Sequence, residues 1–332
     1  MKPETKKILD DPELIEVREA HFMRLEALYA GEKLENEFIL QGIGRYTEDD
    51  GPDWEKWLDE SLDSLAEQAE EAKNPNVFRP LVLNYNPHGV HFVDYLFGAD
   101  VFLLEGGGWQ VRYLESPIGE LEYPDLESND SWQAVTEFTY AFLERDVPTV
   151  LFALPTIAST LNIAVNLYGQ KILEAMLLEP EAAQQDLRVI NHLLCDIHRW
   201  YRKMVPLEQL QCIVAASRCQ PPGFGQLCGC TTQLLSPELY HQFIAPLDDE
   251  LLSVYPYGGM IHLCGTHTQH IPVWREMTSL RAVQTNDIAS EDLEKYFNEL
   301  RDDQILYVNH CEGMPADRIR AITKGRRVVY PR

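Results

Sequence analysis

His262 and Cys264 stand two residues apart at the end of an apolar run, "MIHLCGTHT" (residues 260–268), and a glycine follows at once. In a strand, successive side chains alternate faces, so residues i and i+2 project from one side about 6 to 7 Å apart and can converge on one ion. Imidazole with thiolate is a borderline-soft pair suited to zinc, whose catalytic sites take three protein ligands and keep one position open. A third ligand should come from another strand end, and Cys311 in "ILYVNHCEG" supplies one. Cys228 and Cys230 in "GFGQLCGCTTQLLSP" lie on another loop ahead of a helix signal, where they can complete such a site or line it. His267 and His270 in "GTHTQH" follow the turn as ligands, proton carriers or surface residues. The bland alternative is a core histidine and an accidental pair.

Something must carry these groups to one place. Short apolar runs recur along the chain, "RPLVLNYN", "VPTVLFALP", "LQCIVAAS", "GGMIHLCG", "LRAVQTND" and "QILYVNHC", with helix patterns between them. Strands separated by helices of ten or more residues pair in parallel. Several turn polar only at their last residues: Asn84 and Asn86, His262 and Cys264, Asn286 and Asp287, Asn309 to Cys311. Polar groups gathered at strand C-terminal ends are what a (β/α)8 barrel needs for an active site, and a doubly wound sheet is the alternative. Ser236 with Pro237, and Ser290 ahead of "EDLEKYFNELR", read as helix starts. Residues 1–75 read as an N-terminal helical segment packed on a barrel of residues 76–332. Residues 105–110, "EGGGWQ", read as a turn, since the lysine and serine or threonine of a phosphate loop are absent.

Composition narrows the class of function. The 332 residues are 45% hydrophobic with a net charge of -25, so nucleic acid and anionic membranes would be repelled. No export signal or 18-residue apolar run is present, which makes cytoplasm the expected address. Seven cysteines, an odd number, argue against a disulfide framework; Cys195 and Cys212 sit in apolar runs and read as core.

The segments "SPELYHQFIAPLDDELL", "GGMIHLCG" and "YVNHCEG", with "LPTIASTLNIAVNLYGQKILEAMLLEPEAAQQDL" ahead of them, resemble the uroporphyrinogen decarboxylase superfamily. The resemblance runs from about Arg79 to the C-terminus and is closest to its zinc-dependent, corrinoid-linked methyltransferases. It implies a (β/α)8 TIM barrel, with zinc on His262, Cys264 and Cys311. It also implies methyl transfer between a methyl-cobamide, or a pterin, and a zinc-bound thiol, with a corrinoid (cobalamin) protein as a partner. A free thiol has a pKa near 8.5, and coordination deprotonates it while leaving it nucleophilic. Cys228, Cys230 and His267 stand as additional ligands or site-lining groups, Asn286, Asp287 and Asn309 as groups orienting ligands or substrate, and Arg45, Tyr85, Asn86 and His88 as substrate contacts.

The family's decarboxylase branch is the alternative, with another lyase on the same barrel beside it. It carries an arginine pair and an aspartate for its acidic tetrapyrrole; here "ILQGIGRY" keeps Gly44, Arg45 and Tyr46 but has Gln41 where the first arginine would be, and "LNYNPHGVHF" offers no acid. A chain of this charge without those arginines is a poor host for an anionic tetrapyrrole. The strand-like end "GRRVVYPR", where the family closes with a helix, is a further departure. A third alternative is a non-catalytic metal or corrinoid binder with a closed four-ligand site.

Overall fold

The computed structural model describes residues 1–45, 53–105, 107–212 and 215–331. Tyr46, part of the resemblance quoted above, and two residues of the expected strand at 210–217 lie outside them. In chain order the strands are β1 (Phe38–Leu40), β2 (Ile43–Arg45), β3 (Val77–Phe78), β4 (Leu81–Asn84), β5 (Val101–Leu103), β6 (Trp109–Val111), β7 (Leu151–Ala153), β8 (Leu210–Gln211), β9 (Gly225–Cys228), β10 (Gly259–Cys264), β11 (Leu280–Asn286), β12 (Ile305–Val308) and β13 (Val328–Pro331). One parallel sheet has the order β3-β1-β13-β12-β11-β10-β9, and a second has β2-β4-β7-β8. The chain passes from β1 into β2 and from β3 into β4 across short breaks, and β1 pairs with β3 as β2 does with β4. Both sheets therefore run in the same direction and present their strand C-termini at one end.

Alternation along the strands sorts side chains into two cores. Phe38, Leu40, Val82, Leu151, Ala153, Met260, Ala282, Ile305 and Tyr307 share an inner cluster with Phe22, Leu25 and Leu28 of the helix Pro12–Tyr29. That helix plugs the inner face, each large side chain contributing roughly 1.5–3 kcal/mol by its burial. Residues of the opposite parity, such as Leu83, Ile261, Leu263, Val283 and Leu306, pack outward against helices, among them Pro180–Met204 with Leu187, Ile190 and Leu194. Burial on both faces explains why these strands read as nearly continuous apolar runs.

Between β8 and β9 the backbone ladder is interrupted among the described residues. Side chains bridge the gap instead: Gln211 Nε2 donates to the Gln220 carbonyl (3.0 Å), Gln220 N to Gln211 Oε1 (3.1 Å), and Gln220 Nε2 to the Gly225 carbonyl (2.8 Å). The architecture is a mixed α/β fold on parallel strands, and the closed ladder of a (β/α)8 barrel is not seen among the described residues.

Other expectations meet the structure unevenly. The boundary expected at residue 75 does not mark the start of the sheets, because β1 and β2 at residues 38–45 already belong to them. Ser236 caps the helix Pro237–Leu239 as expected, its hydroxyl accepting from Leu239 N (3.3 Å). Downstream, Pro246 has no N–H to give, and the ladder widens into a π turn over Tyr240–Ile244. Ser290 is no cap: it lies inside the helix Ile288–Glu291, where its hydroxyl reaches Thr285 Oγ1 (3.1 Å). The glycines at 107 and 108 do form a turn, with φ of +98° and +95° between β5 and β6. No helix among the described residues is long and apolar enough to cross a membrane.

Candidate metal centre

The site grows out of the pairing of β9, β10 and β11. Register places His262 opposite Cys228 on one side and Gln284 on the other, and Cys264 opposite Asn286. Met260 of the same parity lies in the inner cluster, so His262 and Cys264 continue the inner face toward the strand C-termini. Cys228 and Cys230, expected on a loop, are held more firmly than that: Cys228 ends strand β9 and Cys230 begins a 3-10 turn over Cys230–Leu234. Two glycines shape the turns. A Cβ at Gly229 would lie 2.5 Å from Ile261 Cδ1, so a larger residue between the two cysteines would have to push Ile261 aside. Gly265, at φ +85°, lets the chain leave β10 immediately after Cys264.

Ligand atoms of Cys228, Cys230 and His262 lie within 4.8 Å of one another. The two sulfurs are 3.8 Å apart, and Cys264 Sγ is 3.3 Å from His262 Nε2. With zinc–sulfur bonds of about 2.3 Å, a tetrahedral ion separates two sulfurs by about 3.8 Å, so the sulfurs of Cys228 and Cys230 stand at the spacing a zinc site requires. His262 Nδ1 is hydrogen-bonded to Gln284 Oε1, and Gln284 Nε2 donates in turn to the Thr285 carbonyl (3.0 Å). An amide oxygen only accepts, so the proton of the neutral ring is on Nδ1 and the Nε2 lone pair faces the sulfurs.

The thiols compete for one negative charge. Cys228 is held below the ordinary thiol value by its hydrogen bond from Cys230, helped by the Arg218 charge and opposed by burial. Cys230 is pushed up to about 12, chiefly by Cys228, and Cys264 up to about 12, chiefly by its contact with Cys230. A divalent cation would relieve that competition by deprotonating them together.

Around the sulfurs runs a chain of amides. Asn309 Nδ2 donates to Asn286 Oδ1 (3.1 Å), while Asn286 Nδ2 points at Cys264 Sγ (3.8 Å) and at Asp287 Oδ2 (3.2 Å). Asp287 turns the chain at φ +48°, and its carbonyl accepts from Cys311 Sγ (3.5 Å). Of the three expected ligands only His262 belongs to the three-residue group; Cys264 and Cys311 stand outside it. His267 is fully buried, with Nε2 donating to the Cys264 carbonyl (2.8 Å) and Nδ1 3.0 Å from Thr232 Oγ1. Both nitrogens are thereby spent on holding the loop, and burial pushes the ring down to about 4. His270 is buried against Tyr240, its Nε2 on the Thr232 carbonyl (2.9 Å).

The expected substrate contacts at the other strand ends are committed elsewhere. Asn86 Oδ1 accepts from Thr156 N (2.8 Å) and its Nδ2 donates to Thr156 Oγ1 (2.9 Å), clamping the loop after β4 to the loop after β7. Tyr85 is buried in stacked contact with Phe138, His88 stacks on Tyr95 with Nε2 2.8 Å from Ser131 Oγ, and the Arg45 guanidinium lies 5.0 Å over Trp57. Cys195 and Cys212 are buried, as expected of core residues. Gln284 was missed from the sequence; its one signal is parity, two residues beyond inward-facing Ala282 on the strand that pairs with His262.

Fold and site together describe a parallel-strand α/β protein with a thiol–imidazole centre at its strand C-termini. Neither a family model nor a curated protein matches the chain. It is similar to a solved structure, a methyltransferase from Methanosarcina mazei, with a TM-score of 0.62 and 13% identity over 94% of this chain and 92% of that one. At that identity the likeness is one of fold.

Proposed function

We propose that this protein is a zinc-dependent methyltransferase that moves a methyl group between a methyl-cobamide, or a pterin, and a thiol, with a corrinoid protein as its donor. We further propose that the two sheets form one barrel of the (β/α)8 kind, joined through the Gln211–Gln220 bridge; the shared inner cluster supports this. The observation that carries the functional reading is the grouping of Cys228, Cys230 and His262, together with the Gln284 contact that turns the Nε2 lone pair toward the sulfurs. The methyltransferase of like fold adds support of the same kind.

On this reading Cys228, Cys230 and His262 would hold the metal. When bound, zinc supplies the positive charge that makes a substrate thiol a strong enough acid to be a nucleophile near neutrality. Cys264 holds its proton tightly and is the sulfur an incoming thiol would replace. Asn286, braced by Asn309, aims an amide N–H at the Cys264 position and would steady negative charge on whichever sulfur stands there. Gln284 keeps His262 in the ligating tautomer.

The test is to give the zinc-loaded protein methylcobalamin and a panel of small thiols and follow loss of the methyl–cobalt absorbance. Demethylation that needs zinc and a thiol is expected; none, with any thiol or pterin, would overturn the proposal. A second reading is favoured by the 3.3 Å contact of Cys264 with Nε2: all four donors could close around the ion as a structural site, leaving no room for substrate. Retention of zinc in Cys264→Ser distinguishes the open site from the closed one. Uroporphyrinogen decarboxylation has less support, since Arg45 packs on Trp57 and Gln41 accepts from Arg79 (3.1 Å).

A further inference from the structure

Outside the cysteine cluster, a second set of reactive groups opens from the same end of the sheets. His91 follows β4 and precedes the helix Phe92–Leu96; its Nδ1 is 2.6 Å from Asp94 Oδ2, and Asp94 is fully buried. Asn166, on the helix Thr160–Tyr168 that follows β7, donates from Nδ2 to the same carboxylate oxygen (2.8 Å). The other oxygen, Oδ1, is buried with no partner. Burial raises the Asp94 pKa, against the pull of His91. A carboxylate taken out of water for one imidazole and one amide is costly, and in packing terms it gains little. Its chemical effect is specific: Nδ1 is committed to Asp94, so the ring meets a ligand through Nε2, and the side chain keeps 11% of its surface open. The neighbouring His88 is already engaged by Tyr95 and Ser131, and Tyr95 OH donates to Asp130 (3.0 Å).

The helix Thr160–Tyr168 ties this pair to the sulfurs. Ser159 N donates to the Cys228 carbonyl (3.2 Å), Asn162 Oδ1 accepts from Thr231 N (3.2 Å), and Asn166 follows one turn later, about 6 Å along the axis. The cysteine loop and the His91–Asp94 pair thus rest against successive turns of one short helix.

We propose that His91, held by Asp94 and Asn166, is the acceptor of the substrate thiol's proton. This rests on the methyl-transfer reading and adds the fate of the proton. The S–H bond of the acceptor thiol breaks and its proton passes to His91 Nε2, directly or through one water. The sulfur keeps the electron pair and forms the bond to the methyl carbon, while the donor retains the pair of the bond it loses. Asp94 then faces an imidazolium.

The test is calorimetric titration of 2-mercaptoethanol into zinc-loaded protein at neutral pH, in two buffers of different ionisation enthalpy, which counts protons released to solvent. His91→Gln and Asp94→Asn are expected to release about one proton per chain more than the unaltered protein, with zinc content and thiol affinity nearly unchanged. Should Asp94→Asn fail to fold, His91→Gln decides alone. Equal proton counts with normal thiol binding would overturn the role of His91 and leave methyl transfer standing. Absence of binding by the unaltered protein to any thiol would overturn both.

Discussion

Two arcs of strand ends lie at one end of this molecule, and both looked chemically active in the sequence. On the β9–β11 arc, Cys228, Cys230 and His262 turn their donor atoms toward one another, within reach of a single ion, and Cys264 lies against His262 Nε2. On the β2–β4–β7 arc, Asn86 is spent on Thr156, Tyr85 on Phe138, and Arg45 on Trp57. A polar residue at a strand end can either keep a lone pair for a ligand or use it to fasten a loop. The difference lies in the partner, and the partner comes from another strand.

Substitutions can break this contrast or sharpen it. The largest effect is expected from His262→Ala, which should abolish zinc binding as read by elemental analysis, while Asn86→Ala leaves about one zinc per chain in place. Next is pH. Of the two thiols that would hold the ion, Cys230 keeps its proton up to about 12, so zinc must displace it; affinity should rise with pH, about tenfold per unit for each proton displaced. A competition titration with a chromophoric chelator across several pH values measures that slope, and a flat profile would place the metal away from these thiols. Gln284→Leu should weaken zinc by about 10- to 100-fold without changing the stoichiometry at saturation, because His262 loses the contact that sets its tautomer. The smallest effect on metal belongs to Asn86→Ala: about 1–3 kcal/mol of stability lost in chemical denaturation, with zinc affinity unmoved. A change of zinc affinity in that variant would erase the distinction between the arcs.

What could be read from the sequence divides along the same line. His262 and Cys264 were visible because an i, i+2 pair shares one face of a strand, although the pair alone also reads as a core histidine beside an accidental cysteine, and the long strands β10 and β11 carried their own pattern. Strand β9 was hidden: "GFGQLCG" has too many glycines for a strand, and those glycines answer to neighbours, as Gly229 does to Ile261. Without β9 the sequence places Cys228 on a loop and cannot set it opposite His262, although register does so directly. Asn86 and His88 carried a site's residue types but not its partners. Ser290 looked like a cap because its followers are acidic, yet Asp287 turns the chain three residues earlier. Periodicity reports which face a residue occupies; which strand comes to lie beside it is decided by long-range pairing that one sequence does not display.

The central claim is that the metal belongs to the β9–β10 pair. Zinc per chain should be measured for the unaltered protein and for Cys228→Ser, Cys230→Ser, Cys264→Ser and Cys311→Ser, each purified without chelators. Loss of zinc in the first two variants, with about one zinc kept in Cys264→Ser and Cys311→Ser, is the predicted result. Zinc lost in Cys264→Ser and Cys311→Ser but kept in Cys228→Ser and Cys230→Ser would contradict the account and return the metal to His262, Cys264 and Cys311.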